Sequence, residues 1–211
     1  ELLTYALIHA GVGQDDPVLK AGIEHLEGMP VGSTYNTAIA AMALADLDPR
    51  KYADRLAEFA QWLTDTQCTN GQWSYGFLAG GPAPVKTKSE KRTSTPSPGK
   101  GGETALPEIK IAWRDGRRGA AGDNSNTQYA LLGLRATTMA GCVIPKEVWK
   151  RSLGFFRKAQ SGDGGWGYGS GGSGYGSMTV GGLSSVAICM RELGEHDEMQ
   201  PEKLAGNAVF K

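Results

Sequence analysis

Gln160-Ser161-Gly162-Asp163-Gly164-Gly165-Trp166 repeats, ninety-three positions on, the pattern of Gln67-Cys68-Thr69-Asn70-Gly71-Gln72-Trp73. In each, a Gln closes an apolar-periodic stretch, a polar turn containing Gly follows, and a Trp stands six positions after the Gln. Such recurrence marks a chain assembled from repeated units. With Thr4, Thr37, Thr127 and Thr179 placed in register, Asn36-Thr37 matches Asn126-Thr127, and Ala40 and Leu44 match Ala130 and Leu134. The surrounding stretches (2–11, 34–47, 124–141 and 177–193) are rich in small and apolar residues on nearly every side, the pattern of a helix buried all round. Each is followed by a more amphipathic stretch: Pro17 to Met29, Arg50 to Thr66, Lys146 to Ala159, and a start at Pro201. In the second of these, Tyr52, Leu56, Phe59 and Leu63 recur at helical spacing while Arg50, Asp54, Arg55 and Glu58 face elsewhere. Pro17, Pro145 and Pro201 suit helix starts, where a missing N–H costs little, and Asp15 and Asp16 suit capping.

The expected fold is therefore all-α. The unit is an inner helix, an outer helix and a Gly-Trp turn, present about four times, and such hairpins bury their faces by stacking on neighbours. The interval from Thr37 to Thr127 is too long, and the excess falls in 79–122. That segment reads as a flexible basic insertion within a single domain spanning 1–211. Pro82, Pro84, Pro96 and Pro98 flank a Lys/Ser/Thr-rich centre, too polar to bury a core. It carries nine basic and four acidic residues, yet a solvated surface excursion explains it more simply than a phosphate-contacting arm. Glu108 to Trp113 alternates, and is expected to form a short strand pairing with Gln72 to Phe77.

Twenty-two basic residues balance twenty-two acidic ones, so no global field favours nucleic acid or an anionic membrane. Cys68, Cys142 and Cys189 are odd in number and lack metal-ligand spacing, which favours reduced, packed thiols and gives cytoplasm a slight edge. No apolar run approaches the roughly 18 residues that span a bilayer. The start at Glu1, inside a periodic stretch, suggests a piece of a larger chain.

Gln-x5-Trp turns after outer helices, with Asn-Thr opening inner helices, resemble the prenyltransferase and squalene-cyclase repeat, most specifically at Gln160 to Trp166. The resemblance covers nearly all of the chain outside the insertion. It implies a partial α/α toroid, with inner helices lining a central cavity, and gives Gln67, Trp73, Gln160 and Trp166 the role of structural staples. The catalytic versions of that superfamily fail at their signatures. An alkene-protonating Asp-x-Asp-Asp-Thr is met here by Asp123-Asn124-Ser125-Asn126-Thr127, and a serine hydroxyl is far too weak an acid. Asp46-Leu47-Asp48-Pro49 reads as a polar turn at a helix end. The Asp-x-Cys of a zinc site is absent, since Thr66, Ala140 and Ala187 precede the three cysteines by two positions. Asp15-Asp16-Pro17-Val18-Leu19 lacks the third carboxylate of a magnesium motif, and Gly141-Cys142-Val143-Ile144 is no thioester motif.

These readings lead to no expected cofactor or metal, and to a segment leaning away from catalysis. The expected function is binding of a lipophilic small molecule or a polypeptide on the concave inner-helix surface. The candidate contacts are Asp123, Asn126, Thr127, Tyr129, Asn36, Tyr35 and His9, which combine small apolar surroundings with a few polar groups at one rim. His9 could face the cavity, although a packed histidine is commoner, while His25 and His196 read as solvated. Two alternatives remain. One is an isoprenoid enzyme whose acid or metal ligands lie outside this segment, and the other is a purely structural module.

Overall fold

The structure, a computed structural model, describes residues 1–76, 106, 108–114, 119–169 and 173–195. His196, the helix start at Pro201 and the Gly80 to Gly102 stretch lie outside the described residues. Among the described residues, seven helices carry the fold: α1 (Leu2–His9), α2 (Pro17–Gly28), α3 (Thr34–Leu47), α4 (Ala53–Thr66), α5 (Asn124–Met139), α6 (Lys146–Ala159) and α7 (Gly176–Leu193). Two two-residue strands complete it, β1 (Ile109–Lys110) and β2 (Cys142–Val143). The chain is thus mostly helical, as its periodicity implies. None of the described helices is long and apolar enough to cross a membrane.

α1, α3, α5 and α7 pack in series as one row, and α2, α4 and α6 pack against that row as a second layer. The row runs parallel. Tyr35 at the start of α3 touches Ser125 at the start of α5, and His9 at the end of α1 touches Asp46 near the end of α3. α3 and α5 are the buried members: Ala38, Ala40, Ala41, Ala43 and Leu44 of the first and Ala130, Leu131 and Leu134 of the second are buried, and Ala38 meets Gly133 where the two helices touch. Small side chains are what allow two backbones to approach so nearly. α1 and α7 depart from the expected all-round burial: Leu2 and Leu3 on the first, and Val180 and Leu183 on the second, are exposed. Among the described residues, α1 packs in the row against α3 and α7 against α5.

The second-layer helices show the expected amphipathic faces. α4 buries Leu56, Phe59, Ala60 and Leu63, and α6 buries Val148, Trp149, Leu153 and Phe156. At the start of α2, Asp16 accepts the backbone N–H groups of Val18 (2.9 Å) and Leu19 (3.1 Å), satisfying two otherwise orphaned donors. Arg55 of α4 donates to the carbonyls of Leu26 (3.4 Å) and Met29, closing the far end of α2 while lying over the Phe59 ring.

The two Gln-Trp turns share the same internal bonds and the same tie to the next helix of the row. Gln67 Nε2 donates to the Gly71 carbonyl (3.3 Å), as Gln160 Nε2 does to that of Gly164 (2.8 Å). The Trp73 indole N–H donates to Leu63 O (2.7 Å) and that of Trp166 to Phe156 O (2.9 Å), both a helical stretch earlier. Each Trp backbone N–H then donates to a threonine hydroxyl on the next helix of the row, Thr127 (3.0 Å) or Thr179 (3.2 Å). Both indoles are buried. Gln67 also reaches forward to Val148 O (2.9 Å) and Ser152 Oγ (3.1 Å) of α6, so the turn ties one unit to the next. Gly71 has φ +95°, and a Cβ there would stand 2.4 Å from Arg151 O, so the turn admits glycine alone on two counts.

The strand expected at Glu108 to Trp113 is present only as β1, and its partner is different. Ile109–Lys110 pairs in parallel with Cys142–Val143, not with Gln72 to Phe77. The backbone of Trp73 is instead taken by Asp123 in an isolated antiparallel bridge. The connection between α5 and α6 offered β1 an unpaired edge, whereas the turn after Gln67 had already committed its groups to α5. The described ends of the insertion are anchored: Gly119 O and Ala120 O accept from the Thr69 backbone and hydroxyl.

Candidate functional site

The parallel row brings the N-terminal ends of α3 and α5 together, and the turns after Trp73 and Trp166 run beside them. Thr34 N–H donates to Tyr75 O (3.3 Å) and Asn124 N–H to Tyr168 O (2.9 Å), so each turn is held against a helix start in the same way. Four tyrosines converge there. The rings of Tyr35 and Tyr129 have centroids 4.5 Å apart, Tyr35 and Tyr75 lie at 6.3 Å, and the Tyr75 and Tyr168 hydroxyls meet at 3.0 Å. Tyr35 is further bonded to the Ser125 hydroxyl. Tyr75 and Tyr168 are about half exposed, so the cluster forms a surface rim of ring faces and hydroxyls.

Of the residues expected at this rim, Tyr35 and Tyr129 belong to it directly. Asp123, Asn126 and Thr127 stand behind it and spend their hydrogen bonds on the fold. Asp123 caps α5 through Asn126 N–H (2.8 Å), and its second oxygen accepts from Asn126 Nδ2 (2.7 Å). The Thr127 hydroxyl donates to Asp123 O (2.6 Å) and accepts from Trp73. Asn126 is fully buried, and its Oδ1 has no hydrogen-bond partner. Asn36 is exposed beside Tyr35. His9 is not brought to this group: it lies at the opposite, C-terminal ends of the row, exposed, with Nε2 3.0 Å from Asp46 Oδ2 and its ring against Tyr5. His25 is likewise exposed, 3.3 Å from Glu1.

Tyr75 and Tyr168 were missed from the sequence, although a signal existed. Both stand two positions after the turn Trp and before a Gly, in Trp73-Ser74-Tyr75-Gly76 and Trp166-Gly167-Tyr168-Gly169.

The electrostatics favour neutral phenols. Burial raises the Tyr35 pKa above 10.0, the Ser125 bond opposes this, and the Asp123 charge adds to the rise. Tyr168 is raised first by its hydrogen bond with Tyr75, then by burial and the Asp123 charge. At these two positions the phenols are held protonated and can donate hydrogen bonds. Burial also raises the thiols of Cys68 and Cys189, which keeps both away from the thiolate needed for transfer chemistry. Among the described residues no group of three His, Cys, Asp or Glu side chains could hold a metal ion.

A cavity of about 620 Å³ lies elsewhere, bounded by Gln160, Trp166, Tyr175, Thr179, Val180 and Leu183. Its place in the repeat is instructive. The equivalent surface one unit earlier, around Gln67, Gly71 and Gln128, is covered by α6 and α7. This cavity is therefore a packing surface of the repeat before it is a ligand site. Compared with known proteins, the chain matches no family model, no curated protein and no solved structure.

Proposed function

We propose that this chain is a segment of an α/α toroid of the prenyltransferase and squalene-cyclase repeat class, and that the face of its helix row binds a lipophilic small molecule without catalysing a reaction on it. The supporting observation is the sequence of groups along that face. Tyrosine and serine hydroxyls stand at one end, at Tyr35, Ser125 and Tyr129. Half-buried Met42 and Leu132 follow at helical spacing, and Arg135, Asp46 and His9 stand at the other end. An apolar strip between polar ends suits an elongated apolar ligand fixed by a few directional contacts. The non-catalytic part of the reading rests on the acid position being Ser125, bonded to a phenol, while both oxygens of Asp123 are occupied by Asn126.

Thermal denaturation in the presence of isoprenoid alcohols and hydrocarbons tests this. Saturable stabilisation that is lost in Tyr35→Ala and Tyr129→Ala is the expected result. Formation of product from squalene or a prenyl diphosphate would replace this reading with an enzymatic one. Absence of any thermal shift, with a polypeptide recovered by cross-linking at the same tyrosines, would replace the small molecule with a protein ligand.

A further inference from the structure

Equivalent faces of α4 and α6 carry opposite charge, the first partly to fully buried and the second largely exposed. In the register that places Gln67 on Gln160, Ala57, Glu58, Gln61 and Asp65 of α4 become Lys150, Arg151, Gly154 and Lys158 of α6. The buried positions keep their apolar character across the same shift, with Leu56 matching Trp149, Ala60 matching Leu153, and Leu63 matching Phe156. Packing therefore does not require the charge reversal.

On α4 this face holds an extended stretch of chain. The Gln61 amide grips Ala112 from both sides, with Nε2 donating to Ala112 O and Oε1 accepting the Ala112 N–H, each at 2.9 Å. This is side-chain recognition of an extended backbone, and it buries Gln61. Charge then reads the captured segment, because Arg114 Nη1 lies 3.3 Å from Asp65 Oδ2. The helix face is acidic and the peptide it holds is basic.

On α6 the corresponding face borders a groove of about 470 Å³, between the helix and the turn residues Thr69 and Asn70. Lys150, Arg151 and Lys158 line it, Phe155 gives it an apolar wall, and among the described residues no carboxylate lines it. Gly154 stands where α4 has Gln61, with open space where a Cβ would be. Arg151 is steadied by the Trp113 ring at 4.9 Å, a residue of the same segment that α4 has captured.

We propose that the α6 groove binds an extended acidic segment of a partner polypeptide, as the equivalent face of α4 binds a basic segment of its own chain. Three cations, with no counter-charge among the described lining residues, supply the attraction, and the bare floor at Gly154 admits a backbone. The chemistry is that of a rim-exposed charged interface, so affinity falls as salt rises.

The test uses the full chain and two short fluorescent peptides, one alternating Glu with Val and the other carrying Gln in place of Glu. Fluorescence anisotropy should show saturable binding of the Glu peptide, weakening with added salt, and little binding of the Gln peptide. Lys150→Glu combined with Lys158→Glu should lower affinity by about tenfold or more, with the helical spectrum and melting temperature unchanged because both side chains are exposed. Gly154→Leu, which fills the floor, should abolish binding without loss of stability. Equal binding of the two peptides, or unchanged affinity in either variant, overturns the proposal. Ready displacement by inorganic phosphate also overturns it, and would assign a simple anion site instead.

Discussion

Thr37, Thr127 and Thr179 hold the same place in the repeat, yet the structure gives them different work. The hydroxyls of Thr127 and Thr179 receive the N–H of a turn tryptophan. That of Thr37 is buried without a partner. Thr127→Val should therefore leave the buried Trp73 N–H unpaired and cost about 1–3 kcal/mol. Thr37→Val should be neutral or slightly stabilising, since it removes only an unsatisfied hydroxyl. Urea denaturation of the two variants separates these outcomes, and equal losses would contradict the assignment. Gln67→Ala should likewise cost more than Gln160→Ala. Gln67 is fully buried and bonds across to α6, whereas Gln160 is only partly buried.

At the scale of elements, α3 and α5 share the most extensive helix contact among the described residues. A Cβ on Gly133 would stand 2.7 Å from the Ala38 Cα, a backbone atom that cannot move aside. Gly133→Ala should push the helices apart and destabilise by about 1–3 kcal/mol, outweighing the gain in helix propensity. Gly154 on α6 is the control. Nothing lies within 4 Å of its Cβ position, so Gly154→Ala should stabilise by about 0.5–1 kcal/mol through propensity alone. Thermal melts of both variants decide the matter, and a stabilised Gly133→Ala would place α3 and α5 farther apart than described. The small residues of α3 and the glycine of α5 are thus a packing device, and the wider apolar side chains belong to α4 and α6.

For the molecule as a whole, the tyrosine rim links two helix starts to two turns from successive units, so its protonation is coupled to folding. The pKa values of Tyr35 and Tyr168 are raised above the ordinary 10.0. Below pH 10 the phenols are protonated in both folded and unfolded chains, and their contribution is constant. As pH climbs beyond 10 the unfolded chain loses these protons first, so stability should decline. Denaturation midpoints measured from neutral to alkaline pH should show that slope, and Tyr168→Phe should flatten it. A midpoint independent of pH in this range would mean the rim is not formed.

The helices, their order and the pairing of the two Gln-Trp turns were legible in the chain because they follow from local rules: period 3.6, proline at helix starts, and a Gly-bearing turn between fixed anchors. The equivalence of Trp73 and Trp166 extends to every bond described for their side chains and backbones. Three things waited for the tertiary structure. β1 found its partner at Cys142–Val143, the half-exposed Tyr75 and Tyr168 joined Tyr35 and Tyr129, and His9 was carried to the far end of the row. Each depends on which distant segments meet. Local periodicity can say that a strand or a helix start exists, but the choice of neighbour is settled by stacking of whole units, where burial and backbone hydrogen bonds are satisfied together.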